Sequence, residues 1–285
     1  MCIRDRIHIS HNNVIENGSM IIKDGKIISV GENITIPENS IVIDLEMKSI
    51  YPSFIDIYST FGIDTPKRSF SGRSPQYNNT RSGYYWNDHI RPEQNAVDKF
   101  EYDSRKAKEL IKNGFGAVNT HLNDGIIRGK GALVVLNEKN SVIDNNSTQY
   151  LSLTKSVTSS QSYPSSLMGV FALLKQVYYD ADWYSKGLSK TDDISLEALN
   201  NNKKLIQIFE AKSKVNSLRI DKIGDKFNIQ YVFLGGGDEY ERIDAIKNTN
   251  ASYILPLNFP NAYDVENTFS ANILQLSDMR EWNQR

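Results

Sequence analysis

The chain has 285 residues, of which 33 are basic and 34 are acidic, and its formal net charge is −1. Because this charge is close to zero, no global field draws the chain to nucleic acid or to an anionic membrane. No apolar run approaches the roughly 20 residues of a membrane span. Cys2 is the single cysteine, which excludes disulfides within the chain and zinc sites built from several cysteines.

The first six residues, Met1 to Arg6, look like the translation of an adapter used in sequencing libraries. We interpret residues 1–6 as an artefact and leave them, with Cys2, out of the fold prediction. We therefore expect the chain to be a fragment of a longer protein whose true N-terminus lies outside the sequence.

Residues 7–48 contain short alternating apolar segments separated by the turn dipeptides Asn17-Gly18 and Asp24-Gly25. This pattern predicts hairpins in a small half-buried sheet, including a segment at Ile41 to Asp44. Such a sheet has exposed edges and needs further strands to close.

Residues 49–60 form an apolar run that opens with Pro52 and closes with small polar residues, which predicts a buried strand. The following segment, 65–95, is polar, rich in aromatic and arginine residues, and longer than most loops. Two interpretations remain open: a lid-like insertion, or a ligand-binding surface at residues 77–91 in which Trp86 would stack on the ligand.

The rest of the chain alternates between predicted helices and strands. Helices are predicted at 101–113, 164–186, 195–201, 214–224 and 238–247, the second with Pro164 at its first position. Strands are predicted at 116–121, 126–136, 142–153, 205–210, 229–234 and 252–255. This order is typical of an α/β fold with a parallel sheet and helices outside it.

The segments before residue 50 and the run Tyr51 to Thr60 together resemble the entry to the amidohydrolase superfamily. In that family a small β-sandwich leads into the motif "pGfIDxHxH" on the first strand of a metal-dependent (β/α)8 TIM-type barrel. Residues 73–77, 114–131, 161–169 and 254–260 are similar to imidazolonepropionase-like bacterial proteins, some of which carry two such units in tandem. The resemblance implies a β-sandwich part at 7–48 and an incomplete barrel at 49–285, with an insertion at 65–95 over the barrel mouth.

The resemblance also implies zinc or another divalent metal held by histidines, and this chain departs from it. Tyr58 and Thr60 stand at the two histidine positions of the first strand, and Phe209 or Glu210 stands at the position on a later strand. The four histidines of the chain are His8, His11, His89 and His121. We therefore predict no metal, no cofactor and no catalytic residue in this fragment.

Weaker candidates for a site remain. His121, Asp124 and Arg128 follow a predicted strand, where barrel enzymes place functional residues, but a single His beside an Asp is more often a structural hydrogen bond, which is the interpretation that we favour. Glu210 ends another predicted strand. Residues 235–237 are three glycines before a helix, which favours a tight turn over an anion site. The serines of 156–166 lack any nucleophile motif and favour a polar loop with a helix cap.

The sequence thus predicts a non-catalytic structural or regulatory unit of a larger hydrolase that acts on C–N bonds other than peptide bonds. One alternative is an active hydrolase with atypical ligands, or one completed by a missing C-terminal part. Another is a binding module at loop 77–91. The expected partner is a downstream amidohydrolase unit of the same parent chain, and a homo-oligomer is possible. By resemblance the parent would be periplasmic or secreted.

Overall fold

The computed structural model describes residues 5–45, 48–68, 76–77, 81–137, 142–257, 266–277 and 279–280. The chain divides into two compact units. The first comprises Met1–Ile55 and Leu110–Ala117, and the second comprises Asp56–Glu109 and Val118–Arg285. The predicted insertion 65–95 lies wholly within the second unit's range, and residues 69–75 and 78–80 of it lie outside the described residues.

The first unit is built on a four-stranded sheet in the order β3-β2-β1-β4. Its strands are β1 (Asp5–Ser10), β2 (Asn13–Lys23), β3 (Lys26–Gly31) and β4 (Ser49–Ile50). The first three pair antiparallel, and β4 pairs parallel with β1. Because β1 begins at Asp5, it includes the last two residues of the segment that we left out as an artefact.

The two predicted turns of this sheet have different outcomes. Asp24 and Gly25 both have positive φ, 51° and 74°, and join the paired residues Lys23 and Lys26, so this hairpin prediction is confirmed. The prediction of a hairpin at Asn17-Gly18 is wrong, because both residues lie within β2. The strand predicted at residues 41–44 is also wrong, since the backbone there is irregular.

The apolar run at 49–60 does form a strand, β5 (Phe54–Ser59), but the prediction that it is buried is wrong. In the described part of the chain β5 has one neighbour, at the edge of a sheet with the order β5-β6-β8-β9. Phe54 and Ile55 are consequently 66% and 55% exposed. The remaining strands of this sheet are β6 (Phe115–Thr120), β8 (Ala132–Val135) and β9 (Val142–Asp144).

The third sheet has the order β13-β12-β11-β10-β7. Its strands are β7 (Ile127–Lys130), β10 (Thr148–Ser152), β11 (Ile206–Glu210), β12 (Tyr231–Leu234) and β13 (Ser252–Ile254). Strands β10 to β13 run parallel, and β7 pairs antiparallel with β10. The parallel strands predicted around β11 and β12 are thus present, whereas the predicted segments 126–136 and 142–153 are each split into two strands.

The helices are α1 (Ser104–Lys112), α2 (Leu167–Ser185), α3 (Ile194–Asn202), α4 (Lys214–Phe227), α5 (Ile243–Asn248) and α6 (Thr268–Ile273). Helix α2 begins later than predicted, because the Ser166 hydroxyl accepts a hydrogen bond from the Gly169 amide and caps the helix. Pro164 therefore precedes the helix and is not its first residue. Helix α4 passes the predicted end at Gly224 and stops at Asn228, which has a left-handed φ of 56°.

Apolar faces of α2, α3 and α4 form the main core of the second unit. Leu174 and Val177 of α2 and Phe209 of β11 are fully buried in one cluster with Tyr231 and Phe233 of β12. Among the described strands no sheet closes into a barrel. The mixed α/β class is confirmed, and completion into a barrel stays a prediction. No described helix is long and apolar enough to cross a membrane.

Candidate functional site

Four of the sequence-predicted or motif-position residues meet near the C-terminal ends of strands of the second unit. Tyr58 is the second-last residue of β5, His121 follows β6, and Glu210 is the last residue of β11. Arg128 enters the same place from β7. Because β7 runs antiparallel to β10, its first residues lie at the same edge of the sheet as the carboxyl end of β11, which brings Arg128 to Glu210.

Arg128 is the centre of this cluster. Its guanidinium donates to the Glu210 carboxylate at 2.7 Å, to the Tyr58 hydroxyl at 3.0 Å and to the Gly125 carbonyl at 3.2 Å. The Arg128 and Glu210 side chains are only 3% and 8% exposed. The guanidinium is thus a buried cation whose three nitrogens all have acceptors, which is the condition for a buried charge to be tolerated.

Glu210 receives a second cation on its other oxygen. The Lys212 ammonium lies 2.8 Å from that oxygen. Burial alone would raise the pKa of Glu210, but the charges and hydrogen bonds of Arg128 and Lys212 outweigh it and hold the pKa below its ordinary value of 4.5. Glu210 is therefore ionised at neutral pH. Lys212 has a positive φ of 58°, a strained conformation for a lysine.

The His121 ring lies between two tyrosines. It stacks on Tyr150 with ring centroids 4.1 Å apart and meets Tyr58 at 4.3 Å. Its Nδ1 donates to the Leu122 carbonyl at 2.9 Å, and its Nε2 has no hydrogen-bond partner among the described residues. Burial, with a further contribution from Arg128, lowers the pKa of His121 to about 4, so the ring is neutral at pH 7 and Nε2 carries a free lone pair.

Tyr58 and Tyr150 both stay protonated at neutral pH. Burial raises the pKa of Tyr58 well above its ordinary value of 10, although Arg128 opposes the shift. Burial likewise raises the pKa of Tyr150, whose hydroxyl donates to the Ile57 carbonyl at 2.9 Å. Neither phenol is positioned to act as an anionic ligand or base at neutral pH.

Asp124 belongs to a separate cluster. Its carboxylate accepts hydrogen bonds from the Ser156 hydroxyl, the Thr158 hydroxyl and the Val157 amide, and it pairs with Arg91 at 3.1 Å. Burial would raise the pKa of Asp124, but these donors and Arg91 lower it below 3.8. Asp124 holds residues 156–158 in place. The structural hydrogen bond between His121 and its neighbouring Asp, which the sequence suggested, is not formed, because the His121 Nδ1 atom donates to the Leu122 carbonyl.

The remaining predicted positions lie elsewhere. Thr60 is exposed beyond the end of β5. Phe209 points into the hydrophobic core, with its ring against Tyr231 at 5.4 Å, so on β11 it is Glu210 that faces the cluster of Arg128. Trp86 is partly buried and stacks on Tyr163 at 6.0 Å.

Two other features of the sequence, the glycine turn at 235–237 and His89, already have partners within the protein. The amides of Gly236 and Gly237 donate to the Glu239 carboxylate at 2.8 and 2.9 Å, so the glycine turn already binds an anion of its own chain. His89 is fully buried, accepts from the Ser156 amide at 3.0 Å and lies 3.2 Å from the Gln161 carbonyl. Burial lowers the pKa of His89 to about 4, and the ring joins two loops.

The residues near Arg128 do not fit a divalent metal. In the described part of the chain no group of three His, Cys, Asp or Glu side chains comes together in a way that could hold one. Each oxygen of Glu210 is paired with a cation, and Tyr58 is protonated. Within this cluster the Nε2 atom of His121 is the single atom with a lone pair free to bind a metal. A catalytic zinc site needs three deprotonated protein ligands, and a permanent guanidinium repels the ion.

Sequence reasoning found Tyr58, His121, Arg128 and Glu210 but did not find how they are connected. It missed Tyr150, which covers one face of His121, and Lys212, which covers the second oxygen of Glu210. A tyrosine within an ordinary strand and a lysine after one carry no local signal for such contacts. The left-handed backbone at Lys212 is equally invisible, because Gly or Asn is the usual residue there.

Comparison with known proteins supports the fold. No protein-family model and no curated protein matches the chain. The solved structure of an amidohydrolase from Thermotoga maritima MSB8 matches with a TM-score of 0.70 and 15% identity, covering 99% of this chain and 75% of that one. A second amidohydrolase structure matches with a TM-score of 0.42 and 10% identity over 99% of this chain and 71% of that one, which is too low to indicate a shared fold. At 15% identity the first likeness shows the fold alone.

Proposed function

We propose that this chain is an amidohydrolase-fold unit that works without a metal centre and has a structural or regulatory role beside a hydrolase unit of the same parent protein. The fold likeness to an amidohydrolase supports the family. The observation that carries the loss of metal chemistry is the buried pair of Arg128 and Glu210 at the strand ends, where the family resemblance expects metal ligands.

The charges around Glu210 disfavour a divalent cation. A divalent cation needs ligands with free lone pairs and gains affinity from uncompensated negative charge. At this place the single carboxylate of Glu210 is already neutralised by Arg128 and Lys212. Arginine stays protonated at every physiological pH. A metal would have to displace the guanidinium from a site in which only 3% of that side chain is exposed.

The alternative of an active hydrolase with atypical ligands has one observation in its favour. The buried Nε2 atom of His121 is a free metal-type donor next to the Arg128 cluster. For this alternative Glu210 would have to leave Arg128 and join His121. Asp124, the third ligand that it would use, is held by four other donors, which is why we favour the non-catalytic function.

Thermal unfolding with and without metal tests the proposal. A ligand that binds only the folded state raises the midpoint by mass action. We expect the midpoint of this chain to be the same in a chelator and in excess zinc, manganese or nickel. The same midpoints, with and without metal, are measured for the matched Arg128→Met variant, in which Glu210 no longer has the guanidinium as its partner. A clear upward shift of the unmodified chain in zinc, abolished by His121→Ala, would instead support the hydrolase alternative.

A further inference from the structure

A second site candidate is a cleft in the second unit, away from the Arg128 cluster. It lies between residues 82–86, the C-terminal part of α2 and the turn before α3, and has a volume of about 530 Å³, within the range of small-molecule sites. Its aromatic lining consists of Tyr84, Tyr85, Trp86 and Trp183. The Trp183 side chain is 46% exposed, so a ligand can reach its face.

The charged groups that line this cleft are all carboxylates: Asp180, Asp192 and Asp193. None of them has an ion-pair partner among the described residues. Asp180 accepts from the Tyr85 hydroxyl and from the Gln176 amide, both at 2.6 Å, and Asp193 accepts from the Leu196 amide at 2.9 Å. These donors are neutral, so they orient the carboxylates without cancelling their charge.

Arg81 and Arg91, the two arginines of residues 81–95, are already paired within the protein. Arg81 pairs with Glu93 at 2.8 Å and lies 3.4 Å from Asp88, and Arg91 pairs with Asp124. The Arg81 guanidinium also lies over the Tyr84 ring, 4.9 Å from its centroid, so the rings available to a ligand cation are those of Trp86 and Trp183. Burial raises the pKa of Asp193, although the Leu196 and Ser195 amides and Arg81 oppose the shift.

We propose that this cleft binds a small organic cation of the alkylamine class. Ring faces of tryptophan and tyrosine attract an ammonium group through their quadrupoles, and carboxylates beside them add a direct charge attraction. Tyr85 fixes the Asp180 carboxylate next to the rings, so the site needs little ordering when the ligand enters. The proposal is independent of the function assigned to the Arg128 cluster, since it uses none of those residues.

Chemical-shift titration of the whole chain with n-butylammonium, compared with the neutral isostere n-butanol, tests the proposal. We expect saturable shifts of the Trp86 and Trp183 indole signals with the ammonium and none with the alcohol. We also expect affinity to fall as salt rises, because the attraction is partly between charges.

Three variants remove one charge each while keeping shape. Asp193→Asn keeps a good helix cap, Asp180→Asn keeps an acceptor for Tyr85, and Asp192→Asn changes an exposed residue just before α3. We expect the first two to weaken ammonium binding by about ten-fold. The control Asp244→Asn removes an exposed carboxylate on α5 and should leave it unchanged. Absence of saturable shifts, equal binding of the alcohol, or equal affinity in the control and in all three cleft variants would overturn the proposal.

Discussion

The Arg128 guanidinium lies 2.7 Å from the Glu210 carboxylate, and both side chains are almost completely buried. Arg128 comes from β7 and Glu210 from β11, two strands separated by β10 in the same sheet. A buried ion pair of this kind is costly to desolvate, and its main property is that neither partner tolerates the loss of the other. Single and double substitutions can therefore measure how much each partner depends on the other.

Removing one partner should destabilise the second unit strongly. We expect Arg128→Met to lower the free energy of unfolding by about 3–5 kcal/mol, because Glu210 keeps a buried charge with only Lys212 beside it. The double change Arg128→Met with Glu210→Leu should recover most of that loss. Urea denaturation of the three proteins measures both effects. Lys212 is 67% exposed, so Lys212→Ala serves as a control with a loss below about 1 kcal/mol. Equal losses in the single and double variants would contradict this account.

Two buried imidazoles should make stability depend on pH. The pKa values of His89 and His121 are lowered from 6.5 to about 4 in the folded chain. As pH falls below 6.5 the unfolded chain gains protons that the folded chain does not, so stability decreases down to about pH 4 and then levels for these groups. Each ring accounts for up to about 3 kcal/mol of this loss.

One variant shows how much of this dependence of stability on pH comes from His121. His121→Phe keeps a ring on Tyr150 and removes the titrating group, so its unfolding free energy should fall less between pH 6.5 and pH 4 than that of the unmodified chain. His11 is exposed, and His11→Gln is the control. Imidazole chemical shifts followed against pH give the two pKa values directly. A His121 signal that titrates near 6.5 would show that the ring is not buried in this way.

Asp124 should matter for local order more than for chemistry. Asp124→Ala removes the acceptor of four donors, among them Ser156 and the Val157 amide. We expect a loss of about 2–3 kcal/mol and faster amide exchange at residues 156–158 than elsewhere. Asp98 accepts an exposed hydrogen bond from the Asn95 side-chain amide, and Asp98→Ala is the control. Unchanged exchange at 156–158 would mean that the hydrogen bonds to Asp124 do not order this loop.

Gly129 tests the backbone geometry around Arg128. Its φ is +82°, and an added Cβ would collide with the Gln94 carbonyl. We expect Gly129→Ala to cost more than about 3 kcal/mol, since strain and overlap act together. Gly187 also has a positive φ, +68°, with open space around it, so Gly187→Ala isolates the strain alone and should cost about 1 kcal/mol. Thermal unfolding compares the two, and similar midpoints would contradict the predicted packing at Gly129.

The fold class was predictable because it depends on local periodicity. Apolar spacing predicts helix α2, and β-branched and aromatic content predicts strand β11. The predicted ranges differ from the observed ones by a few residues. The exposure of β5 was not predictable, because the sequence of an apolar strand is the same at the edge of a sheet as in its centre. Asn17-Gly18 is likewise a turn dipeptide, but Gly18 pairs with Asp5 of β1 and the next residue, Ser19, pairs with Gly31 of β3, which keeps the segment in a strand.

The site was predictable only as a set of unconnected residues. Strand ends pointed to His121 and Glu210, but the sequence placed Arg128 with Asp124, its neighbour along the chain. In the structure Arg128 and Asp124 serve different partners, Glu210 and Arg91. Which carboxylate a buried guanidinium meets depends on strand order and on side-chain direction, and neither follows from a single motif.

We propose that Arg128 and Glu210 occupy the place where a metal would require free ligands. Elemental analysis of the purified chain, after exposure to zinc, manganese, iron and nickel and removal of excess, tests it most directly. We predict far less than one bound metal per chain, with no change in His121→Ala. Roughly one tightly held metal per chain, lost in both His121→Ala and Glu210→Ala, would contradict the account.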